Sequence, residues 1–207
     1  MSALRGDCYV ISAPSGAGKT SLVRALVETL DRLTVSTSHT TRPQRDGELD
    51  GRDYHFVDLS GFEQMIDRGE FLEHARVFGN YYGTSIRALE TPLAAGTDVV
   101  LEIDWQGARR IRELFPECVS VFIVPPSVEE LRQRLVARGR DDPATIELRM
   151  REAALEMSHH GEYDYLVVND LFELALQDLQ AIVRARRLRT PVQKLRLGTE
   201  LARLVAP

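Results

Sequence analysis

The chain has 207 residues and a net charge of −5, from 26 basic and 31 acidic side chains. Its hydrophobic fraction of 43% predicts a substantial core, and its length predicts one large domain or a core with small insertions. The slight acidic excess argues against a nucleic-acid partner, and no apolar run forms a signal peptide or approaches the ~20 residues of a membrane span. The two cysteines stand in apolar runs without a C-x-x-C pair, so we expect reduced core thiols and a cytoplasmic location.

The amino-terminal segment predicts a buried strand, a glycine-rich turn and a helix, in that order. Residues 8–12 are a continuous apolar run, and apolar residues between positions 22 and 33 recur at helical spacing. The residues of the turn that fit the phosphate-loop pattern G-x-x-x-x-G-K-[ST] are Gly16, Gly18, Lys19 and Thr20. In such a loop, backbone N–H groups bind phosphate, the lysine reaches the β- and γ-phosphates, and the hydroxyl holds Mg²⁺. We therefore favour a nucleoside triphosphate site over a chance glycine turn, although Ala13 replaces the first glycine of the pattern.

The next part of the chain is more polar, and its predicted elements are short. They are a strand ending near Ser38, a loop around Pro43 and Gly47, strands at 54–57 and 71–77, and helices at 62–68 and 85–95. These elements interrupt the alternation of apolar strands and helices found elsewhere. Residues 37–90 are therefore predicted to form an inserted subdomain.

This insertion carries candidates for binding a second substrate. Two arginines, Arg42 and Arg45, lie three residues apart in the loop, and the tyrosines of the insertion are Tyr54, Tyr81 and Tyr82. Guanidinium groups and phenolic hydroxyls together suit a phosphate group, whereas isolated surface arginines would carry no such meaning. Together with the phosphate loop, they predict a second, phosphorylated substrate.

Three carboxylates stand in or after predicted strands. Glu73 interrupts an apolar strand, and a carboxylate can accept both the N1–H and the 2-amino group of guanine, a donor pair that adenine lacks. Glu102 and Asp104 end the next apolar strand, where an acid in phosphate-loop proteins lies beside the water shell of Mg²⁺. The alternatives are a solvated strand face for Glu73, and helix capping or a solvated strand end for the other two.

From residue 98 onward, continuous apolar runs alternate with amphipathic helices. The apolar runs are 99–104, 119–124 and 165–168, and the helices are 108–115, one capped by Ser127 and one capped by Asn169 or Asp170, with Phe172, Leu176, Leu179 and Val183 on its apolar face. This alternation predicts an α/β fold with a parallel sheet that helices cover on both faces. The tail from residue 190 is expected to be a helical extension.

A second insertion begins near Arg138. Its helix places Ile146, Met150, Ala153 and Met157 on one stripe, and the arginines of the insertion are Arg138, Arg140, Arg149 and Arg151. Phosphoryl transfer needs positive charge and the exclusion of water, which a mobile basic lid would supply. The alternative is an exposed helix with ion pairs four residues apart, such as Glu147 with Arg151.

Six stretches stand in a fixed order along the chain. They are Ser12-Ala-Pro-Ser-Gly-Ala-Gly-Lys-Thr20, Ser38-His-Thr-Thr-Arg42, Phe71-Leu-Glu-His-Ala75, Gly79-Asn-Tyr-Tyr-Gly83, Ile103-Asp-Trp-Gln-Gly107 and Val167-Val-Asn-Asp170. From residue 6 to residue 188 the chain thereby resembles the guanylate kinases, the bacterial enzymes most of all. The resemblance implies the fold of a P-loop nucleoside-monophosphate kinase, with a parallel-sheet core, a GMP-binding insertion and a helical lid. The corresponding regions are the core at 1–36, 91–126 and 161–190, the insertion at 37–90, the lid at 127–160 and the tail at 191–207.

The resemblance also implies the site residues. The catalytic residues would be Lys19, Arg42, Arg138 and Arg149. ATP would be bound by Pro14, Ser15, Gly16, Ala17, Gly18, Lys19, Thr20 and Ser21. GMP would be bound by Ser38, Arg42, Arg45, Glu48, Tyr54, Glu73, Tyr82, Thr84, Glu102 and Asp104. The implied cofactor is Mg²⁺, held by Thr20 and, through a water molecule, by Asp104; Glu102 stands where aspartate is usual, so we expect its contact to shift by one methylene.

The implied reaction is ATP plus GMP giving ADP plus GDP, with dGMP as a further candidate acceptor. No general base is required, because a phosphate oxygen of GMP is already an anionic nucleophile, and positioning and charge neutralisation carry the catalysis. Two alternatives stay open: a non-catalytic guanylate-kinase-like interaction domain, and a related P-loop kinase for another phosphorylated acceptor. No nucleic-acid or membrane partner is implied, and the oligomeric state is left open, with a homodimer as one option.

Overall fold

The computed structural model describes residues 5–77, 79–137, 139 and 142–206. Its strands are β1 (Cys8–Ser12), β2 (Leu33–Val35), β3 (His39–Thr40), β4 (His55–Phe56), β5 (Phe71–Val77), β6 (Asn80–Ser85), β7 (Asp98–Glu102), β8 (Val119–Val124) and β9 (Tyr165–Val168). Its helices are α1 (Lys19–Thr29), α2 (Leu59–Asp67), α3 (Ile86–Ala94), α4 (Trp105–Leu114), α5 (Val128–Ala137), α6 (Pro143–Ser158), α7 (Phe172–Arg187), α8 (Thr190–Arg196) and α9 (Gly198–Val205). A short 3-10 turn, His160–Glu162, follows α6.

A parallel sheet in the order β2-β7-β1-β8-β9 forms the centre of the molecule. All of β1 is buried, because α1 and α7 pack on one face of the sheet and α3 and α4 on the other. The predicted α/β fold with a parallel, doubly covered sheet is therefore confirmed. Since the strands are parallel, their carboxyl ends share one edge, and a ligand site is expected there.

A smaller sheet, in the order β4-β3-β6-β5, is built from residues of the predicted insertion. Strand β6 pairs antiparallel with both β3 and β5, whereas β3 and β4 are parallel. Phe62 of α2 is fully buried and stacks on Phe71 of β5, with 4.5 Å between the ring centroids. Helix α4 packs against β5, so this sheet meets the core next to the end of β7.

Helices α5 and α6 pack against each other through a small apolar cluster. Its residues are Leu131, Leu135, Ile146, Met150 and Ala153, with Met157 beside them. The predicted stripe on α6 is therefore confirmed. Glu147, which the alternative reading pairs with Arg151, accepts hydrogen bonds from the guanidinium of Arg132 on α5, because the packed helices bring these side chains together. The Arg132 hydrogen bond lowers the pKa of Glu147, and the charge of Arg151 adds to this effect.

Two helices begin earlier than predicted because an aspartate caps each of them. Asp58 accepts a hydrogen bond from the N–H of Gly61 and starts α2, and Asp104 accepts one from the N–H of Gly107 and starts α4. Both caps lie before the apolar periodicity begins. Periodicity alone therefore placed these helix starts too late.

The predicted cap of the long helix α7 is also wrong. This helix begins after Leu171, and the side chain of Asn169 donates instead to the carbonyl oxygen of Ala17, at 2.7 Å. Leu179 and Val183 of the predicted apolar face are buried, whereas Phe172 remains 36% exposed. The expected helical tail is present as α8 and α9. Over the described ranges, no helix combines the length and apolar character needed to cross a bilayer.

Candidate active site

The turn between β1 and α1 forms a tight loop at the carboxyl edge of the sheet. Gly16 and Gly18 have φ angles of 101° and 91°, which only glycine adopts readily. Both are also crowded: a Cβ on Gly18 would lie 2.4 Å from Nδ2 of Asn169, and one on Gly16 would lie 2.8 Å from Cδ1 of Leu131. The loop therefore presents bare backbone at the start of a helix, which is the arrangement that binds phosphate.

Ala13, which replaces the first glycine of the loop pattern, fits its position. Its side chain packs against the core cluster beneath α1. Its φ is not left-handed, since Arg32 is the one non-glycine residue with positive φ in the described part of the chain. Alanine therefore adopts the required backbone here, and its methyl group adds packing.

Lys19 and Thr20 are the first residues of α1, so both stand at the positive end of the helix. The Thr20 hydroxyl donates a hydrogen bond to Oε2 of Glu102, at 3.2 Å. This contact exists because β1 and β7 are neighbouring parallel strands, with Ile11 opposite Glu102. Hydroxyl and carboxylate oxygens so close together offer the hard donors that Mg²⁺ prefers.

Asp104 lies where the core, the smaller sheet and α6 meet. Its Oδ1 accepts a hydrogen bond from the N–H of Gly107 at 2.9 Å. Asp104 therefore does cap a helix, as the alternative interpretation expected, but it uses one of its two carboxylate oxygens to do so. Its negative charge contributes to raising the pKa of Glu73 on the smaller sheet and of Glu156 on α6. The charge of Asp104, at the edge of the core, therefore acts on one carboxylate of the smaller sheet and on one of α6.

Arg42 is buried and held in place from several directions. Its Nη2 donates to Oε1 of Glu48 and its Nη1 to the carbonyl oxygen of Pro43, each at 2.7 Å. The guanidinium carbon lies 5.3 Å from the ring centroid of Tyr54 and 5.7 Å from that of Phe56. Burial opposes the charge of Arg42, but the Glu48 carboxylate outweighs it and raises the pKa of the guanidinium. A charged fork fixed in this way is preorganised for an anion.

Glu48 connects the two predicted arginines. Its Oε2 accepts the backbone N–H of Arg45 at 2.8 Å while its Oε1 is paired with Arg42. Burial resists ionisation of Glu48, but these hydrogen bonds prevail and lower its pKa. The side chain of Arg45 itself is exposed. Glu48 therefore stays ionised and orients the loop.

Tyr54 and Tyr82 complete this group of side chains. Their rings meet edge to face, with centroids 5.9 Å apart. Burial raises the pKa of Tyr54 to about 12, and Tyr82 and Glu102 add to the effect. Because Glu102 also accepts the hydrogen bond from Thr20, it lies close to both the phosphate loop and the tyrosines.

Glu73 is buried on the smaller sheet, at 8% exposure, opposite Thr84 in the strand register. Burial raises its pKa to about 7 and the charge of Asp104 adds to this, while interactions with Thr84 partly offset the rise. His39 pairs antiparallel with Gly83, so Ser38 comes next to Thr84 on the neighbouring strand. The structure thus brings together the carboxylate and the two hydroxyls predicted for guanine.

Helix α6 brings a cation and an acid onto the phosphate loop. Nη1 of Arg149 lies 3.4 Å from Oγ of Ser15. Glu156 interacts with the backbone of Ser15; its burial raises its pKa to about 7, and the nearby Lys19 opposes this rise. Sequence reasoning missed Glu156, although its spacing of two helical turns from Arg149 could have placed both on one face. Arg138, the other predicted lid residue, lies outside the described residues.

A cavity of about 300 Å³ opens beside the phosphate loop. It is lined by Gly16, Gly18, Ser21, Arg134, Asn169, Asp170 and Phe172. Nη1 of Arg134 donates to the carbonyl oxygen of Asn169 at 3.0 Å, and Asn169 in turn holds the loop through Ala17. The sequence alone did not place Arg134 and Asn169 at this cavity. The available signal was that Asn169 follows a parallel strand and so emerges at the same edge as the loop.

Comparison with known proteins agrees with this geometry. The guanylate kinase family model matches residues 5–186 of the chain. A guanylate kinase from Methylococcus capsulatus is 59% identical over 201 residues, covering 97% of this chain and 98% of that protein, and one from Alkalilimnicola ehrlichii is 58% identical over 200 residues with the same coverage. Among solved structures, guanylate kinase from Anaplasma phagocytophilum matches with a TM-score of 0.77 and 38% identity, covering 92% of this chain and 90% of that one. Because the family model and these relatives match nearly the whole chain, this protein belongs to the guanylate kinase family.

Proposed function

We propose that this chain, which as a guanylate kinase transfers a phosphoryl group from ATP to GMP, does so between two anion sites that meet at the end of β7. The position of Glu102 supports this arrangement most directly. Glu102 accepts a hydrogen bond from Thr20 on the phosphate loop and contributes to the raised pKa of Tyr54 on the smaller sheet. A carboxylate close to both groups implies that donor and acceptor phosphates would lie side by side.

The donor, ATP, is proposed to occupy residues 14–21, with its base in the cavity beside Asn169. Mg²⁺ would neutralise charge on the β- and γ-phosphates when bound. Thr20, and Asp104 through a water molecule, are proposed to hold it. The Thr20 hydroxyl oxygen and Oε2 of Glu102 lie 3.2 Å apart, and this supports the placement because Mg²⁺ binds oxygen ligands and keeps several waters.

The acceptor, GMP, is proposed to bind with its phosphate on Arg42, Tyr54 and Tyr82. Glu48 is proposed to act indirectly, since a carboxylate repels a phosphate and this one already orients Arg42 and the Arg45 backbone. The exposed side chain of Arg45 is proposed to contact the acceptor phosphate as well. This arrangement supplies both positive charge and fixed geometry at one end of GMP.

The guanine base is proposed to be read by Glu73, with Ser38 and Thr84 beside it. An ionised Glu73 would accept the N1–H and the 2-amino group together. These contacts involve the base and the phosphate, and none of the proposed residues needs the ribose 2′ position. We therefore propose dGMP as a second acceptor.

Catalysis is proposed to rest on positioning and on charge. A phosphate oxygen of GMP attacks the γ-phosphorus of ATP, the bond to the β-phosphate oxygen breaks, and ADP leaves with that electron pair. Lys19 and Arg149 would stabilise the moving phosphoryl group, and Arg42 would hold the acceptor against the repulsion of like charges. Arg138 is proposed to join them from the lid.

Three of the four regions expected from the sequence are proposed as functional units: the core, the acceptor subdomain at 37–90 and the lid at 127–160. The separate smaller sheet and the separate apolar cluster of α5 and α6 support this division. A cytoplasmic location is likewise proposed. Two free cysteines and nucleotide substrates support it.

An assay of ADP release with GMP, AMP, UMP and CMP, each with ATP, tests the proposal. We expect kcat/KM for GMP to exceed that for AMP by ~10⁴-fold, because a buried acceptor left unpaired rejects the wrong base strongly. In Glu73→Gln the preference for GMP should fall by ~10²-fold or more. An unchanged preference in this variant would refute the role of Glu73. GMP binding without turnover would instead favour the non-catalytic interaction domain, for which the comparisons give no support.

A further inference from the structure

Gly107 is a buried residue in the first turn of α4, where this helix packs against β5. A glycine inside a helix costs about 1 kcal/mol relative to alanine, so its presence needs a local reason. Its backbone provides none, because Gly107 is not among the described glycines that have positive φ. The reason must therefore lie in the atoms that surround its Cα.

The space beside Gly107 is filled by the carboxylate of Glu73. A Cβ on residue 107 would lie 2.8 Å from Oε2 of Glu73, 3.2 Å from its Cδ, and 3.3 Å from Cβ of Ile103. Favourable contacts between such heavy atoms lie at about 3.5–4.0 Å. The first of these distances is too short to persist, so a side chain at residue 107 would force a movement.

The helix turn that carries Gly107 is held more firmly than the carboxylate is. The N–H of Gly107 is bound by Oδ1 of the capping residue Asp104 at 2.9 Å, and α4 is packed against both the core and β5. Glu73 ends in a flexible side chain, with Thr84 opposite it in the strand register. A methyl group at residue 107 would therefore displace the carboxylate of Glu73 and leave the helix in place.

We propose that Gly107 is a specificity-determining position: because it carries no side chain, α4 closes onto Glu73 and holds that carboxylate in the orientation that reads the guanine edge. This inference rests on the proposed role of Glu73 in guanine recognition. Gly107 itself touches no substrate and acts through Glu73, so it is a positioning residue. Because Gly107 has no side chain, the Glu73 carboxylate can occupy the space beside its Cα, and this fixes the position of the carboxylate in the guanine site.

The variant Gly107→Ala tests the proposal through kinetics with GMP and with IMP, whose base lacks the 2-amino group. We expect KM for GMP to rise ~10-fold or more at saturating ATP, because a charged hydrogen-bond acceptor moves out of place. KM for ATP should stay unchanged, and the ratio of kcat/KM for GMP to that for IMP should fall toward its value in Glu73→Gln. The melting temperature should be unchanged or higher, since alanine favours the helix.

Gly161→Ala is the matched control, because a Cβ there would meet nothing within 4 Å. It should leave KM for GMP and the GMP-to-IMP ratio unchanged. A purely structural role for Gly107 predicts a different pattern. It would lower the melting temperature and leave the GMP-to-IMP ratio at its wild-type value, and that pattern would overturn the proposal.

A second comparison removes the obstacle itself. In a Glu73→Ala background the carboxylate is absent, so adding Gly107→Ala should leave KM for GMP unchanged and should not lower the melting temperature. Loss of stability in Gly107→Ala that persists in the double variant would overturn the inference. If Glu73→Ala and Glu73→Gln keep the wild-type GMP-to-IMP ratio, the proposed role of Glu73 fails. If they lower this ratio and Gly107→Ala does not, only the role of Gly107 fails.

Discussion

The hydroxyl of Thr20 donates a hydrogen bond to Glu102, 3.2 Å away, across 82 residues of sequence. It joins the first turn of α1 to the carboxyl end of β7, the strand next to β1 in the sheet. The phosphate loop and the acidic strand end are therefore one site.

The first prediction concerns magnesium. Thr20→Val keeps the size of the side chain but removes the oxygen proposed to bind Mg²⁺, so the Mg²⁺ concentration for half-maximal activity should rise ~10-fold or more. Thr20→Ser retains the hydroxyl and is the matched control, with a response close to wild type. The measurement is a Mg²⁺ titration of activity at fixed ATP. Equal Mg²⁺ requirements in the two variants would remove Thr20 from the proposed site.

The second prediction concerns the lysine of the phosphate loop. Lys19→Met keeps the length of the side chain and removes the charge that would stabilise the transferring phosphoryl group, so kcat should fall ~10³-fold or more. Lys19 is not part of any apolar core cluster, so the melting temperature should change little. The two measurements are steady-state turnover and thermal unfolding. Near-normal turnover would contradict the assigned role.

The third prediction concerns the acceptor phosphate. Arg42→Lys keeps the charge but loses the planar fork that Glu48 and Pro43 hold in place, so KM for GMP should rise ~10-fold to ~100-fold. KM for ATP should stay the same. Arg52→Lys is the control, because that side chain is 51% exposed and its recorded partners, the adjacent Asp53 and the carbonyl oxygen of Gly47, lie in the same loop. An equal effect in both variants would indicate a general charge effect and not a specific contact.

The fourth prediction concerns pH. Burial and the charge of Asp104 raise the pKa of Glu73 to about 7, and only its ionised form accepts both guanine N–H groups. KM for GMP should therefore fall as the pH rises from 6 to 8. Residue 73 cannot ionise in Glu73→Gln, so this variant should show a smaller change, caused by the other groups that titrate in this range, the GMP phosphate and Glu156. Parallel pH profiles for the two proteins would show that Glu73 does not titrate in this range.

The raised pKa of Glu73 also makes the stability of the folded protein depend on pH. The folded pKa of Glu73 lies above the ordinary value of 4.5, so the folded protein holds more protons between pH 4.5 and 7. Its contribution to the free energy of unfolding is thus present below pH 4.5 and is lost as the pH rises to 7. Urea unfolding at several pH values should show a steeper slope in wild type than in Glu73→Gln, which keeps the similar contribution of Glu156, whose pKa burial also raises to about 7.

The fifth prediction concerns Glu162, which ties the end of α6 to α4. Its carboxylate accepts hydrogen bonds from Arg109, Arg112 and His159, and the ring of His159 stacks on Trp105 at 3.8 Å. These contacts, that of Arg109 foremost, lower its pKa to about 2. Glu162→Gln should reduce the free energy of unfolding at pH 7 by about 1 kcal/mol, at the upper end for partly exposed pairs.

The control and the pH dependence test the same assignment. The stabilisation from Glu162 is present above pH 4.5 and should be lost as the pH falls toward 2, so wild type and Glu162→Gln should converge at low pH. Glu113→Gln is the matched control, because Glu113 and its partner Arg110 are each more than half exposed. It should change stability by less than about 0.5 kcal/mol. A constant difference between wild type and Glu162→Gln across this range would contradict the assignment.

Local patterns in the sequence predicted most strands and helices, because the apolar periodicity of a strand or helix depends only on residues that are close together in the chain. The limits of β5 and β8 match the predicted strands, and the stripe on α6 packs as predicted. Predictions failed where a polar side chain had two possible partners. Asn169 was expected to cap α7, and it instead supports the phosphate loop through Ala17, a residue far away in sequence.

By itself, the sequence determined the phosphate loop and the parallel sheet, because glycine positions and apolar periodicity express short-range steric and burial requirements. The family followed from the resemblance of six ordered stretches. Only the tertiary structure decided that Glu102 meets Thr20, that Glu156 faces Lys19 and that Gly107 backs onto Glu73. Those contacts depend on strand order and on how closely a helix approaches a sheet. Periodicity along one chain specifies which face of an element is buried, but not which distant residue lies against it.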